Sequence, residues 1–333
     1  MKNRIAALDV VKAIAIYLVI LGHVLQHLRS SNYIDEPVYI FIYSFHMSLF
    51  MTLSGFFAAT TLKMHFFRLA WKKAKSLLLP CIVWGGVLSV CYQLFIEKAF
   101  SFYSLIEFIY YDFWFLKSVF ICYILAWIGF SLKLPSWVWC FLVCVAAQFI
   151  PAFSVPVMMP CFLSGYILSS EIENVWFVRL MPFFLVVFVL LFISAPNSLF
   201  DGNFEKDLLS MGMTFSSICQ LLICRFYKVM MGLSGSFFII SVIKLTIWGK
   251  KAEDSVVIHY LSIIGKETMG IYIVHSIIIG YIFSKFFNLD TFNMVILNVL
   301  VAPMFAFATL LLSYSIVKIL TKSKIMSLLL LGK

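Results

Sequence analysis

The feature that most constrains this chain is the length of its uninterrupted apolar runs. Ala13 to Gly22, Phe183 to Ile193 and Val299 to Ala308 contain no charged residue. They lack the alternation that marks the ~10-residue strands of an outer-membrane barrel. A spanning helix instead needs about 20 predominantly apolar residues, and the runs sit inside segments of that order. Composition agrees, with 63% hydrophobic and 12% charged residues among 333. Soluble domains carry roughly half and a quarter, so this chain has too little polar surface to cover a water-facing globule. The expected class is an all-α, polytopic integral membrane protein, about ten helices in one bundle, with residues 1–333 forming a single transmembrane domain.

The expected spans are 7–28, 38–62, 77–96, 114–131, 136–152, 157–170, 176–195, 229–248, 265–287 and 292–320. Residues 204–228, a moderately apolar run ending in Arg225, Tyr227 and Lys228, read either as an interfacial helix, the preferred reading, or as an extra span. The 25 Lys and Arg against 15 Asp and Glu give a net charge of +10. In a soluble chain this would suggest nucleic acid, but here the spare cations flank apolar segments, so no nucleic-acid partner is expected. Lys2 and Arg4, the stretch Lys63 to Lys75, Lys250 and Lys251, and Lys318 to Lys333 place both termini on the cytoplasmic side by the positive-inside rule. Asp9 and Lys12 interrupt any signal-peptide pattern and no small-residue cleavage site follows, so the first segment is expected to stay. Nearly all eight cysteines fall within apolar runs and read as small buried hydrophobes.

Ionisable groups inside a bilayer cost about 2.5–3.5 kcal/mol each on insertion scales, which makes them the first place to look for function. In the first segment Lys12 and His23 are 11 residues apart. At about 100° and 1.5 Å per residue their side chains share one helix face within roughly 20°, about 16 Å apart along the axis. Lys12 has a bland explanation, snorkelling to headgroups with Asp9 as its i−3 partner. A deep imidazole is harder to dismiss, because it exchanges a proton near neutral pH. His27 lies one turn beyond His23, but no third ligand is fixed beside them, so no metal is expected.

Further polar candidates follow. Ser48, Thr52 and Gly55 are spaced for close helix packing, while His46 could face the same cavity as His23. The basic run Arg68, Lys72, Lys73 and Lys75 suits either anionic lipid or the phosphates of a cytosolic nucleotide cofactor. Trp114 fits an interfacial aromatic belt, and Tyr272 and His275, at i and i+3, could form a structural pair.

Taken together, Leu8-Asp9-x-x-Lys12 with Leu21-Gly22-His23, Phe45-His46-Met47-x-Leu49-Phe50 leading to Leu53-Ser54-Gly55-Phe56, the basic run closing on Leu78-Leu79-Pro80, Trp114-Phe115-Leu116, and Gly265 with Ile271-Tyr272-Ile273-Val274-His275 resemble the membrane-bound acyltransferase 3 family. The motifs occur in the family's order across nearly the whole chain. The resemblance implies a ten-helix inner-membrane fold that takes an acyl group, usually acetyl, from cytosolic acyl-coenzyme A and esterifies a hydroxyl of a cell-surface glycan or its lipid-linked precursor.

It also implies catalytic roles for His23 and Lys12, with Asp9 as the partner of Lys12. Arg68, Lys72, Lys73 and Lys75 would hold the coenzyme. His46, Ser54, Trp114, Tyr272 and His275 would line the acceptor site. Lys12 stands where many members have arginine, which keeps the charge without the bidentate fork. Of two arginines often found three apart before the proline, Lys73 occupies one place and Ser76 the other. The expected mechanism is general-base catalysis by His23. Lys12 and the basic run would hold the phosphates, and a pantetheine arm of roughly 15–20 Å matches the ~16 Å rise between Lys12 and His23. A covalent acyl-histidine relay is a variant. The rival classes are a glycan or small-molecule transporter with these groups along its path, and a purely structural membrane partner.

Overall fold

The computed structural model describes residues 6–29, 33–97, 101–172, 174–196, 199, 214–247 and 255–333. Among these there is no strand. Eight helices are long and apolar enough to cross a membrane: α1 Ala6–Leu28, α2 Pro37–Phe56, α3 Phe66–Phe95, α4 Trp114–Ser131, α5 Ala152–Glu171, α6 Phe215–Ile247, α7 Thr268–Phe286 and α8 Met294–Leu320. Ser136–Ala147, Met181–Ser194 and Val256–Lys266 are shorter apolar helices. The chain is therefore a multi-pass, all-α membrane protein.

Boundaries differ from the sequence reading in several places: α2 ends at Phe56 rather than near 62, α5 begins at Ala152 rather than near 157, and the expected spans 136–152 and 176–195 are the shorter helices Ser136–Ala147 and Met181–Ser194. α3 begins at Phe66 rather than near 77, because the basic stretch is itself helical. Residues 215–228 form neither a separate interfacial helix nor an extra span. They are the first half of α6, whose 33 residues reach about 50 Å at ~1.5 Å each, longer than a hydrocarbon core of about 30 Å. Residues 204–213 lie outside the described residues, as do Lys2, Arg4, Lys250 and Lys251. Finally, α7 starts at Thr268 because Glu267, with φ −103° and ψ 5°, ends the preceding helix Val256–Lys266.

Two prolines explain two widened turns. Pro80 lacks an N–H, and its ring crowds the carbonyl one turn back; the helix accommodates it with a π-turn at Ala74–Leu78. Pro303 follows a π-turn at Leu297–Val301 in the same way.

The helices gather into two compact units. The first comprises Met1–Phe56 and Pro160–Tyr314. Within it α1 packs against Val256–Lys266, α2, α6 and α7. Its apolar core includes Leu8, Val11, Phe45, Leu49, Phe177 and Met231. Small residues set the helix spacing. A Cβ on Gly55 would strike the carbonyl oxygen of Phe162, one on Gly165 that of Thr52, one on Gly232 the hydroxyl of Ser48, and one on Gly265 the carbonyl of Asp9. Ser48, Thr52 and Gly55 thus mark close helix contacts, and Gly265 lets its helix meet α1 backbone to backbone.

The second unit comprises Phe57–Met159 and Ser315–Lys333. Here α3 packs against Phe102–Tyr111 and Lys324–Leu331, and α4 against Ser136–Ala147. Two indoles tie loops and ends to these helices: Trp127 donates to the Met64 carbonyl (2.8 Å) and Trp84 to that of Leu330 (3.0 Å).

Candidate functional site

The first unit carries a cluster of imidazoles contributed by three helices. α1 runs without interruption from Ala6 to Leu28, so the computed one-face relation of Lys12 and His23 stands. His23 is half-buried, and its ring lies 5.1 Å from that of His275 on α7 and 5.6 Å from that of His27. His46 on α2 is within electrostatic reach of His23 as well. The grouping follows from packing, because α1 is the element that α2 and α7 both touch.

Each ring is oriented by a specific neighbour. A turn at Ser44 and Phe45 divides α2, and the Nδ1 of His46 reaches back across it to the Ile42 carbonyl at 2.7 Å. The Nδ1 of His275 lies 2.8 Å from the Ile271 carbonyl. A carbonyl only accepts, so in both rings Nδ1 carries the hydrogen and, in the neutral form, Nε2 presents a lone pair. His275 is fully buried. Gly22 makes room beside His23, since a Cβ there would sit 2.9 Å from the Tyr43 ring. Tyr43 in turn stacks on Tyr39 (3.9 Å between centroids), meets His46 edge-on (4.7 Å) and donates to Gln26 at 2.7 Å.

Other expected residues take varied positions. Lys12 forms an ion pair with Asp9 at 3.4 Å, the carboxylate being almost wholly enclosed. Tyr272 meets His275 edge-on at 5.7 Å. Ser54 donates to the Phe50 carbonyl within its own helix (2.9 Å), an ordinary back-bond. Trp114 belongs to the second unit, where Phe113, in the left-handed region at φ 54°, precedes α4.

The basic run also lies in the second unit. Arg68, Lys72 and Lys75 are exposed and, spaced four and three apart, share one helix face. Lys73 leaves that face and stands 3.6 Å over the Tyr123 ring, while Lys75 lies 4.8 Å from that of Trp71. The run thus presents three cations together and turns the fourth inward.

A family model for the acyltransferase domain matches residues 5–318. The chain belongs to the acyltransferase 3 family. Among curated proteins it is similar to the nodulation protein NolL of Sinorhizobium fredii (strain NBRC 101917 / NGR234), 31% identical over 189 residues, which cover 52% of this chain and 50% of that protein. It is also similar to NolL of Mesorhizobium japonicum (strain LMG 29417 / CECT 9101 / MAFF 303099), 38% identical over 86 residues, 25% of this chain and 23% of the relative. These matches span about half, or less, of the curated relatives' length. No solved structure matches.

Sequence reasoning passed over some features around this candidate site. Gln26 and Tyr43 are joined by a hydrogen bond between α1 and α2; the available signal was Gln26 three residues after His23, on a neighbouring part of the helix face. A second is a charged clasp at the end of α1. Arg29 pairs with the buried Glu36 and approaches Asp290 at 3.6 Å, and Asn298 donates to Glu36 at 2.8 Å. No local spacing could have revealed the clasp, because Asn298 lies 262 positions from Glu36 in sequence.

Proposed function

We propose that this protein transfers an acyl group, acetyl in the first instance, from acyl-coenzyme A to a hydroxyl of a cell-surface polysaccharide or its lipid-linked precursor, in the bacterial inner membrane with both termini cytoplasmic. The observation that carries the reading is the convergence of His23, His46 and His275 from three helices of an acyltransferase-family fold. Packing alone gives little reason to place three imidazoles together among apolar helices.

In this reading His23 is the general base. As the acceptor oxygen attacks the thioester carbonyl, its proton passes to His23. The carbon–sulfur bond then breaks, and the thiolate leaves with that proton as free coenzyme A. The new bond is the glycan ester. General-base assistance of this kind contributes about 10²–10⁴-fold. In the first unit Lys12, held by Asp9, is a group suited to the donor's phosphates; in the second unit, taken by itself, the exposed cations Arg68, Lys72 and Lys75 are equally suited. In the first unit His46, Ser54 and Tyr272 remain the candidates for acceptor recognition, Trp114 of the second unit is a separate candidate, and no metal is called for.

The test is mass spectrometry of the host's surface glycans with the gene present, deleted, and restored as wild type or as His23→Gln. Loss of an acetyl or succinyl increment on deletion, recovered by the wild type but not by the correctly inserted variant, is the expected result. A variant that restores the ester at the parental level refutes the assignment. An unmodified glycan that instead fails to reach the surface favours a transporter.

A further inference from the structure

Among the described residues of the first unit, two buried imidazole nitrogens lack a hydrogen-bond partner: Nδ1 of His23 and Nε2 of His275. They belong to rings that stand beside each other, centroids 5.1 Å apart and planes tilted by 37°. The two nitrogens are not bonded to each other as the rings stand, but rings this close need only turn toward each other for facing edges to come within hydrogen-bond reach, about 3 Å. An orphaned buried donor or acceptor costs about 1–3 kcal/mol, and two neighbouring orphans relieve each other only when one donates and the other accepts.

The backbone decides which is which. The Ile271 carbonyl fixes the hydrogen of His275 on Nδ1, 2.8 Å away, so its Nε2 is an acceptor. The hydrogen between the rings must then come from His23, on Nδ1, and the Nε2 of His23 is left as its lone pair. We infer that His275 is a positioning residue: through a chain running from the Ile271 carbonyl through His275 to Nδ1–H of His23, it holds His23 in the tautomer whose Nε2 accepts a proton. The consequence for catalysis rests on the acyl-transfer reading; the tautomer chain itself does not.

Other neighbours do not fill this role. His46 makes the same kind of carbonyl bond, to Ile42, but its ring meets Tyr43. His27 is exposed and approaches His23 edge-on at 5.6 Å. Tyr272, on the helix of His275, meets that ring edge-on. When His23 takes the acceptor's proton on Nε2, its Nδ1–H stays bound to His275. The oriented dipole of His275 offsets part of the new positive charge, and no proton has to leave His275. The proton on His23 Nε2 goes to the departing thiolate.

The test uses the full chain in lipid nanodiscs with ¹⁵N-labelled histidine, and His275→Phe, His275→Met and His275→Gln variants. The expected spectrum shows His23 protonated at Nδ1 and bare at Nε2 in the wild type. The Gln variant keeps that state because its amide oxygen can accept. The Phe variant loses it, and Met serves as the apolar replacement if Phe does not insert. A His23 signal unchanged by the apolar replacement overturns the inference. In parallel, coenzyme A release is followed with acetyl-coenzyme A and an envelope-glycan extract. The apolar variant should lower kcat by about 10²-fold with KM little altered, and Gln should recover most of the loss. Full turnover without His275 overturns the positioning role. Nitrogen shifts as expected in a wild type that releases no coenzyme A support the chain and refute the acyl-transfer reading.

Discussion

Substituting Gly55 with alanine tests whether the crossing of α2 with the second half of α5 is set by backbone contact. Helix propensity alone favours alanine by about 0.8–1.0 kcal/mol. Against that, the added carbon meets the carbonyl oxygen of Phe162, and the reciprocal change at Gly165 meets that of Thr52. Overpacking costs about 1–3 kcal/mol. A backbone oxygen cannot rotate aside as a side chain can, so the upper end applies and the net loss is about 2 kcal/mol for either variant. That is about thirtyfold in the folding equilibrium.

Both clashes are relieved by the same small separation of the two helices. The double variant therefore meets the clash of about 3 kcal/mol once and gains the alanine propensity twice, so it should lose only about 1 kcal/mol, less than either single variant, a coupling of about 3 kcal/mol. Gly86 supplies the control, since a Cβ there meets nothing within 4 Å, and Gly86→Ala should gain up to about 1 kcal/mol. Unfolding of the purified chain by detergent titration, followed by circular dichroism, measures the four variants against the wild type. If Gly55→Ala is as stable as Gly86→Ala, or if the two losses simply add, the contact does not set the crossing.

Two further changes probe the surroundings of the imidazole cluster. Glu36→Gln removes the buried carboxylate that pairs with Arg29. Breaking such a pair costs about 3–5 kcal/mol when the partner is stranded; Asp290 remains beside Arg29, so a loss nearer 2 kcal/mol is expected in the same unfolding titration, and an unchanged midpoint would contradict the clasp. Tyr43→Phe removes the bond to Gln26 while keeping the stack on Tyr39. It should cost about 1 kcal/mol and restore glycan esterification nearly to the wild-type level in the complementation assay; abolition of the ester would give Tyr43 a direct part in the chemistry.

The sequence by itself determined the class of the protein and its family. Uninterrupted apolar runs leave a chain little choice but to become membrane helices, because backbone hydrogen bonds in lipid must be satisfied within each segment. The relation of Lys12 to His23 was equally legible, since helix geometry converts an interval of eleven residues into a shared face. The order of the motifs pointed to the family before any fold was known.

The tertiary structure decided which imidazole meets which. His275 lies 252 positions from His23, and only the packing of α7 on α1 makes their rings neighbours. Nor could a sequence show that Lys73 turns onto Tyr123 while Arg68, Lys72 and Lys75 stay exposed. That depends on the partners a neighbouring helix offers. Periodicity reports how a helix presents its own residues, whereas the protonation state of a buried ring is set by atoms brought to it from elsewhere in the chain.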